Sequence, residues 1–259
     1  MAIDNDVYNR IGGTWWEDDN PLVLLHGSMT RGRFEYFRQA LGSLDRLPSG
    51  DLRPPAVDIG CGGGFLAEEF ARVGYSVIGV DPSEVSLATA RRHAAESGLA
   101  IDYRYGTGEA LPVEDAAVDL AYCCDVLEHV SDVDRVLTET ARVLRPGGVF
   151  CFDTLNRTMA SKVFTNLMQE WRLTRIVDFA LHDWQMFLPP RDLTARMARR
   201  GLRVQQIVGL GPRAAPWTAV AAFVQVRRGR MTYRRASERL NMGRFRSTAI
   251  QYMGYALRD

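Results

Sequence analysis

Val57-Asp58-Ile59-Gly60-Cys61-Gly62-Gly63-Gly64 is the stretch whose reading decides the fold. An apolar strand at residues 56–59 runs into a cluster of glycines, and residues 65–73 then carry apolar side chains at helical spacing. Glycines let the backbone turn sharply and approach a ligand with no Cβ in the way. The helix that follows opens on unpaired N–H groups. The packing G-x-G-G-G departs from the dinucleotide fingerprint G-x-G-x-x-G and suits a ligand without a pyrophosphate, lying across the turn. Asp58, just ahead of the glycines, is placed to orient the loop or to take an ammonium group. The same residues also read as a purely structural strand-to-helix turn.

Working outward, residues 76–80 read as a second strand. Ser83 is a good N-cap for a helix running to about residue 97. Residues 101–105, 118–124 and 149–152 read as three further strands. A helix at 133–144 precedes the last of these and is stopped by Pro146-Gly147-Gly148. Apolar strands alternating with helices imply a parallel sheet covered on both faces. Beyond it the pattern loosens. Residues 163–179 and 190–200 read as helices, 204–210 as a strand, 216–240 as mixed helical pieces and 249–257 as a final strand. The lead-in, residues 1–55, is rich in aromatics, among them Trp15 and Trp16, and ends in the breakers Pro48, Gly50, Pro54 and Pro55.

Ligands of such sheets sit at the carboxyl ends of the strands. Asp81 ends the second strand about 20 residues past the glycines, where an acid accepts hydrogen bonds from the two ribose hydroxyls of an adenosine. It also reads as a turn aspartate before Pro82. The loop Thr107-Gly108-Glu109-Ala110-Leu111-Pro112 can offer Glu109 or backbone groups to an adenine edge, with Leu111 packed beneath. Asp125-Val126-Leu127-Glu128-His129 puts two acids and a histidine just beyond the fourth strand.

The chain of 259 residues carries a net charge of +1, which gives it no bulk attraction for nucleic acid. Lys162 is the only lysine; nine arginines fall between Arg227 and Arg258, opposed only by Glu238 and Asp259. That run reads as a solvated helix face or as a surface for an acidic partner or lipid headgroups. Cys61, Cys123, Cys124 and Cys151 read as small apolar residues of a reduced, cytoplasmic protein. The first residues lack the apolar segment of a signal peptide, and no run reaches the length of a membrane span.

Taken in order, Val-Asp-Ile-Gly-Cys-Gly-Gly-Gly, Gly-Val-Asp, Glu-Ala-Leu-Pro, Leu-Glu-His-Val and Leu-Arg-Pro-Gly-Gly resemble the class I S-adenosylmethionine-dependent methyltransferases, over residues 56–153. Within that class the chain resembles the UbiG family, the O-methyltransferases of ubiquinone biosynthesis. Trp15-Trp16 with His26, Thr154-Leu155-Asn156-Arg157, His182-Asp183-Trp184 with Phe187 and Pro189, and Tyr252-Met253 carry this further likeness. The resemblance implies a Rossmann-like α/β fold with a seven-stranded sheet, its last strand antiparallel, and a helical substrate lid. Residues 1–55 would form a helical lead-in. Residues 56–259 would form the methyltransferase domain, with lid insertions at about 157–190 and 211–246. It implies methyl transfer to a hydroxyl of a catechol- or hydroquinone-like ring, with S-adenosylhomocysteine as product.

The expected cofactor residues are Asp58, Gly60, Cys61, Gly62, Asp81, Pro82, Gly108, Glu109 and Asp125. The expected catalytic residues are His129, His182 and Glu128. A phenol titrates near pH ~10 and must lose a proton before it attacks. A histidine base, His129 or His182, is one route. A divalent cation is the other, with Asp125, Glu128 and His129 as candidate ligands, positions that match a metal-associated acid, acid and histidine set in some UbiG relatives. The base is the expected route, because histidine is a poor ligand for magnesium. His93 is expected to be solvated, and Trp15, Trp16, Trp171, Trp184 and Phe187 are candidate walls of an aromatic pocket. Partners are expected to be a small aromatic substrate, no nucleic acid and at most a peripheral membrane contact. A C- or N-methyltransferase of specialised metabolism, a non-catalytic cofactor-binding protein and a nicotinamide dehydrogenase remain alternatives.

Overall fold

The computed structural model describes residues 7–169 and 182–259. Short strands β1 (Pro55–Ile59), β2 (Ser76–Asp81), β3 (Asp102–Tyr105) and β4 (Val118–Cys123) are followed by the longer β5 (Leu144–Leu155), β6 (Leu202–Pro212), β7 (Met242–Phe245) and β8 (Gln251–Arg258). The helices are α1 (Val7–Ile11), α2 (Pro21–Ser43), α3 (Phe65–Arg72), α4 (Glu84–Glu96), α5 (Val133–Val143), α6 (Met159–Gln169), α7 (Pro190–Ala198), α8 (Pro216–Arg227) and α9 (Tyr233–Leu240).

Among the described residues one sheet forms, in the order β3-β2-β1-β4-β5-β8-β6-β7. The pairs from β3 through β5 are parallel, and β8 runs antiparallel to both β5 and β6. The seven expected strands are therefore present with the last one antiparallel, and β7 adds an eighth at the edge. Nothing in Met242-Gly-Arg-Phe245 alternates or clusters apolar residues. Pairing with β6 makes it a strand, which is a tertiary effect that local pattern does not carry.

Alternation along the strands builds two cores. Ala56, Leu120, Tyr122 and Cys151 face α2, α3 and α4 through Phe37, Phe70 and Leu87. Val57, Ala121, Cys123 and Phe152 face α5 and α7 through Val136, Leu137 and Leu193. Strands buried on both faces explain the nearly continuous apolar runs in the sequence. Ser83 caps α4 as expected, its hydroxyl accepting from the Ser86 N–H at 3.2 Å. The helix expected at 133–144 ends at Val143, and β5 then begins at Leu144, running through Pro146-Gly147-Gly148 rather than after it. The helix expected at 163–179 is seen as α6, and residues 170–181, with Trp171, lie outside the described residues.

The strand order reverses between β1 and β4, so the carboxyl ends of β1, β2 and β4 open a crevice at that switch point. α2 crosses beside it, packed against α3, α9 and β7. No helix of the described residues is long and apolar enough to cross a membrane.

Candidate functional site

The glycine turn is built from left-handed backbone. Gly60, Gly62 and Gly64 have φ of +74°, +50° and +84°, values that strain any residue with a Cβ. The turn is fastened to β2: Gly60 and Cys61 donate to the Val80 carbonyl at 2.8 and 3.0 Å. Gly62 donates to Asp81 Oδ2 at 2.8 Å, while Ser83 N–H donates to Oδ1 at 2.8 Å. Each Asp81 oxygen thus has one lone pair engaged and one left for a ligand. A cap of aromatics covers the turn. The Trp15 indole lies so close that a Cβ on Gly63 would meet it at 2.6 Å, and its Nε1 donates to Ser86 Oγ at 2.9 Å. Trp16 donates to the Gly63 carbonyl at 2.9 Å and stacks on His93, ring centroids 3.4 Å apart. His93 was expected to be solvated. It instead lies under Trp16 with Nδ1 2.5 Å from the buried Glu68 carboxylate.

In front of the turn lies a cavity of about 660 Å³. Asp58, Gly60, Cys61, Gly62, Asp81, Pro82, Gly108, Glu109 and Asp125 all line it, so every residue expected to hold the cofactor faces one space. His129 lines it too, with Tyr8 and Trp15 from the lead-in and Met186 from the segment before α7. Leu111, expected beneath an adenine, belongs to the core beside Val113 and is not part of the wall. Among the candidate aromatics that the structure describes, Trp15 alone lines the cavity. Trp184 donates to the Thr158 carbonyl at 2.8 Å, and Phe187 is buried 6.0 Å from the His182 ring. His26 lies on α2, and its side chain is outside the described set.

Arg33 is the feature that sequence reading missed. It projects from α2, is 3% exposed, lines the cavity and forms ion pairs with both Asp125 and Asp153. Asp125 sits at φ +54°, its N–H donating to Asp153 Oδ1 at 2.9 Å and its Oδ1 accepting from Gln251 at 2.9 Å. An arginine in a lead-in helix, far in sequence from either acid, carries no local signal. Only packing of α2 over the crevice brings them together.

Next to His129, Glu128 is fully buried and, like His182, is not among the residues that line the cavity. Its Oε2 accepts from Thr154 Oγ1 at 2.7 Å, and its Oε1 has no hydrogen-bond partner among the described residues. Burial first, then the nearby Asp125 and Asp153 charges, push its pKa up to about 8. Burial pulls His129 down to about 4, opposed by Asp125, so the ring is neutral near pH 7. The His129 and His182 rings lie 4.9 Å apart, and Tyr8 meets His129 edge-on at 6.2 Å. Glu128, His129 and His182 each bring one ligand-type atom within 4.8 Å of the others. Asp125, its carboxylate held by Arg33 and Gln251, is not in that cluster, and His182 stands where the sequence suggested Asp125.

Relatives carry the identification. A ubiquinone biosynthesis O-methyltransferase of Methylobacterium nodulans is 35% identical over 81% of this chain and 86% of its own length. Those of Methylocella silvestris and Caulobacter vibrioides are 38% and 37% identical, over 75% and 82% of this chain and 79% and 86% of their own lengths. The chain belongs to this family. It is an S-adenosylmethionine-dependent methyltransferase, and residues 57–152 match the profile described as a methyltransferase domain. Solved structures agree on the fold of this methyltransferase. A magnesium protoporphyrin IX methyltransferase from Synechocystis, with S-adenosylhomocysteine bound, aligns at a TM-score of 0.57 with 15% identity, over 87% of this chain and 82% of its own. An S-adenosylmethionine-dependent methyltransferase from Methanosarcina mazei aligns at 0.57 with 16% identity, over 81% and 94%.

Proposed function

We propose that the enzyme transfers the S-methyl group of S-adenosylmethionine to a hydroxyl of a small catechol- or hydroquinone-like aromatic, as the names of its relatives suggest. The supporting observation is the single cavity that runs from the glycine turn and Asp81 to His129. Asp58, Asp81, Glu109 and Asp125 are the acids of its otherwise largely apolar wall, which suits a cofactor carrying a sulfonium and an ammonium. Asp81 would accept the ribose hydroxyls, Asp58 would face the ammonium, and Gly108 and Glu109 would meet the adenine. Arg33, the buried cation among the described residues of the wall, would face the carboxylate. Methyl transfer is an in-line displacement with a neutral leaving thioether, so alignment of nucleophile, methyl carbon and sulfur is the main demand on the protein.

In this reading His129 or His182 takes the phenolic proton. His129 is neutral at working pH and so able to take up a proton, and the Asp125 charge favours the imidazolium once formed. Residues 1–55 and the insertions at about 157–190 and 211–246 would form the lid. Tyr8, Trp15 and Arg33 from the first and Met186 from the second already wall the cavity, while the third leans on α2 through α9.

The Glu128–His129–His182 cluster supports a second reading, a divalent cation. The buried, unpartnered Glu128 Oε1 and two imidazoles make an oxygen and nitrogen donor set that fits zinc better than magnesium. A cation held there would supply a lowered pKa for a bound phenol. Incubating the protein with labelled S-adenosylmethionine and a mixture of phenols, quinols, amines and indoles tests the main proposal. An O-methylated quinol or catechol is the expected product. Labelling at carbon or nitrogen would overturn it. Turnover that persists in excess chelator supports the histidine route; turnover abolished by chelator and restored by zinc supports the cation.

A further inference from the structure

The Trp15–Trp16 cap over the glycine turn is fastened from two directions. On the sheet side Trp16 holds the Gly63 carbonyl and stacks on His93, while Trp15 donates to Ser86 at the start of α4. On the other side stands α9. Arg234, in its first turn, donates through Nη2 to the Trp16 carbonyl at 2.9 Å and pairs through Nε with the Asp18 carboxylate. Its backbone N–H donates to the Asp18 carbonyl at 3.1 Å. These bonds join residues 216 and 218 positions apart in the chain. The segment between α1 and α2 has only short turns of its own, Glu17 N–H to the Thr14 carbonyl and Asn20 N–H to the Glu17 carbonyl. What it leans on therefore sets where it lies. The footing of α9 is close-packed: Ser237 Oγ accepts the Ser28 N–H of α2 at 2.8 Å, and a Cβ on Gly27 would meet that Oγ at 2.9 Å.

We propose that Arg234 is a positioning residue for the cofactor, fixing the Trp15–Trp16 turn so that Trp15 keeps its place in the cavity wall. The inference rests on the reading that S-adenosylmethionine occupies the glycine-turn end of that cavity. Arg234 does not line the cavity itself; it acts through Trp16 on the adjoining Trp15, which does. A guanidinium suits the task, because its planar fork holds a carboxylate and a carbonyl at once in fixed directions, which a point-like ammonium does less well. The Arg234 and Asp18 side chains are 34% and 60% exposed, so the pair contributes little to overall stability. Its effect falls on orientation. Without the guanidinium the Trp16 carbonyl loses that donor and Asp18 its counter-charge, and the turn keeps its hold on the sheet side alone. The segment between β6 and β8 thereby takes part in cofactor binding from a distance, through one side chain of α9.

Calorimetric titration of the full chain with S-adenosylhomocysteine, beside thermal unfolding of each variant, tests this without reading activity. Arg234→Gln should weaken binding about fivefold while the melting temperature stays within about 3 °C of wild type. Arg234→Lys should return Kd to within about twofold of wild type, since an ammonium still reaches one of the two acceptors. Asp18→Ala, which opens the same latch from its exposed side, should weaken binding about threefold and decides the matter if Arg234→Gln does not fold. The two changes together should bind no more weakly than Arg234→Gln alone, because they remove one shared interaction. Wild-type affinity in both single variants overturns the proposal, and so does a loss of affinity that follows a falling melting temperature through the series or that Arg234→Lys does not restore. Asp81→Ala is the reference. If it weakens binding while the latch variants do not, the positioning role is wrong and the cofactor pose stands; if it too leaves affinity unchanged, both fall.

Discussion

Removing the Asp81 carboxylate is the most direct probe of the cofactor end of the cavity. Asp81 holds two backbone N–H groups, those of Gly62 and Ser83, both at 2.8 Å, and is 8% exposed. Its two remaining lone pairs match the two ribose hydroxyls of the proposed cofactor pose. A hydrogen bond to a charged group contributes roughly 1.5–3 kcal/mol. In Asp81→Ala water refills the emptied space and offsets part of two such losses. The expected net cost to S-adenosylhomocysteine binding is therefore about 1.4 to 2.7 kcal/mol, one to two orders of magnitude in Kd. The fold should also weaken, because two buried N–H groups lose their acceptor at about 1–3 kcal/mol each. Asp81→Asn separates the effects. Its carbonyl oxygen can keep the Ser83 bond, while its amide meets the Gly62 N–H donor to donor, so affinity should fall with less loss of stability. Isothermal calorimetry with S-adenosylhomocysteine, beside thermal unfolding of each variant, reads both quantities. Unchanged affinity in a folded Asp81→Ala protein would refute the reasoning.

Three further outcomes are expected. Arg33→Met leaves the buried Asp153 and the partly buried Asp125 adjoining without a cation, and should lower stability in urea by about 3–5 kcal/mol; a loss under about 1 kcal/mol contradicts the ion-paired triad, since that is the scale of exposed pairs. Glu128 has a folded pKa near 8 against an ordinary 4.5, so the fold retains a proton that the unfolded chain releases, and stability should decline as pH rises through that window. Glu128→Gln should flatten the decline in a pH series of melting temperatures, and an unaltered slope speaks against the buried acid. His129→Ala should lower methyl transfer by about 10²–10⁴ at neutral pH if His129 is the base, and recover part of it toward pH ~10, where a phenol ionises unaided; a rate that stays depressed across the whole pH range assigns His129 another role.

The sequence by itself determined the central sheet from β1 to β5, the glycine turn and the residues around it. These are local facts. Strands buried on both faces read as apolar runs, left-handed turns demand glycine at Gly60, Gly62 and Gly64, and a switch-point crevice lies at strand ends whatever the lid does. That is why all nine residues expected to meet the cofactor line one wall. Other features depended on chain segments meeting across long separations, and only the tertiary structure decided them. β7 exists because β6 offers an edge, and His93 is covered because Trp16 reaches over α4. Asp125 leaves the Glu128–His129 cluster because Arg33, 92 residues earlier, claims its carboxylate, and His182 joins the cluster from the segment before α7. Helical spacing from Asp125 to His129 suggested one converging set. That spacing fixes which side chains can meet when the turn is helical, but a buried arginine fixes where a carboxylate must point, and its position is written in the packing of α2 on the sheet.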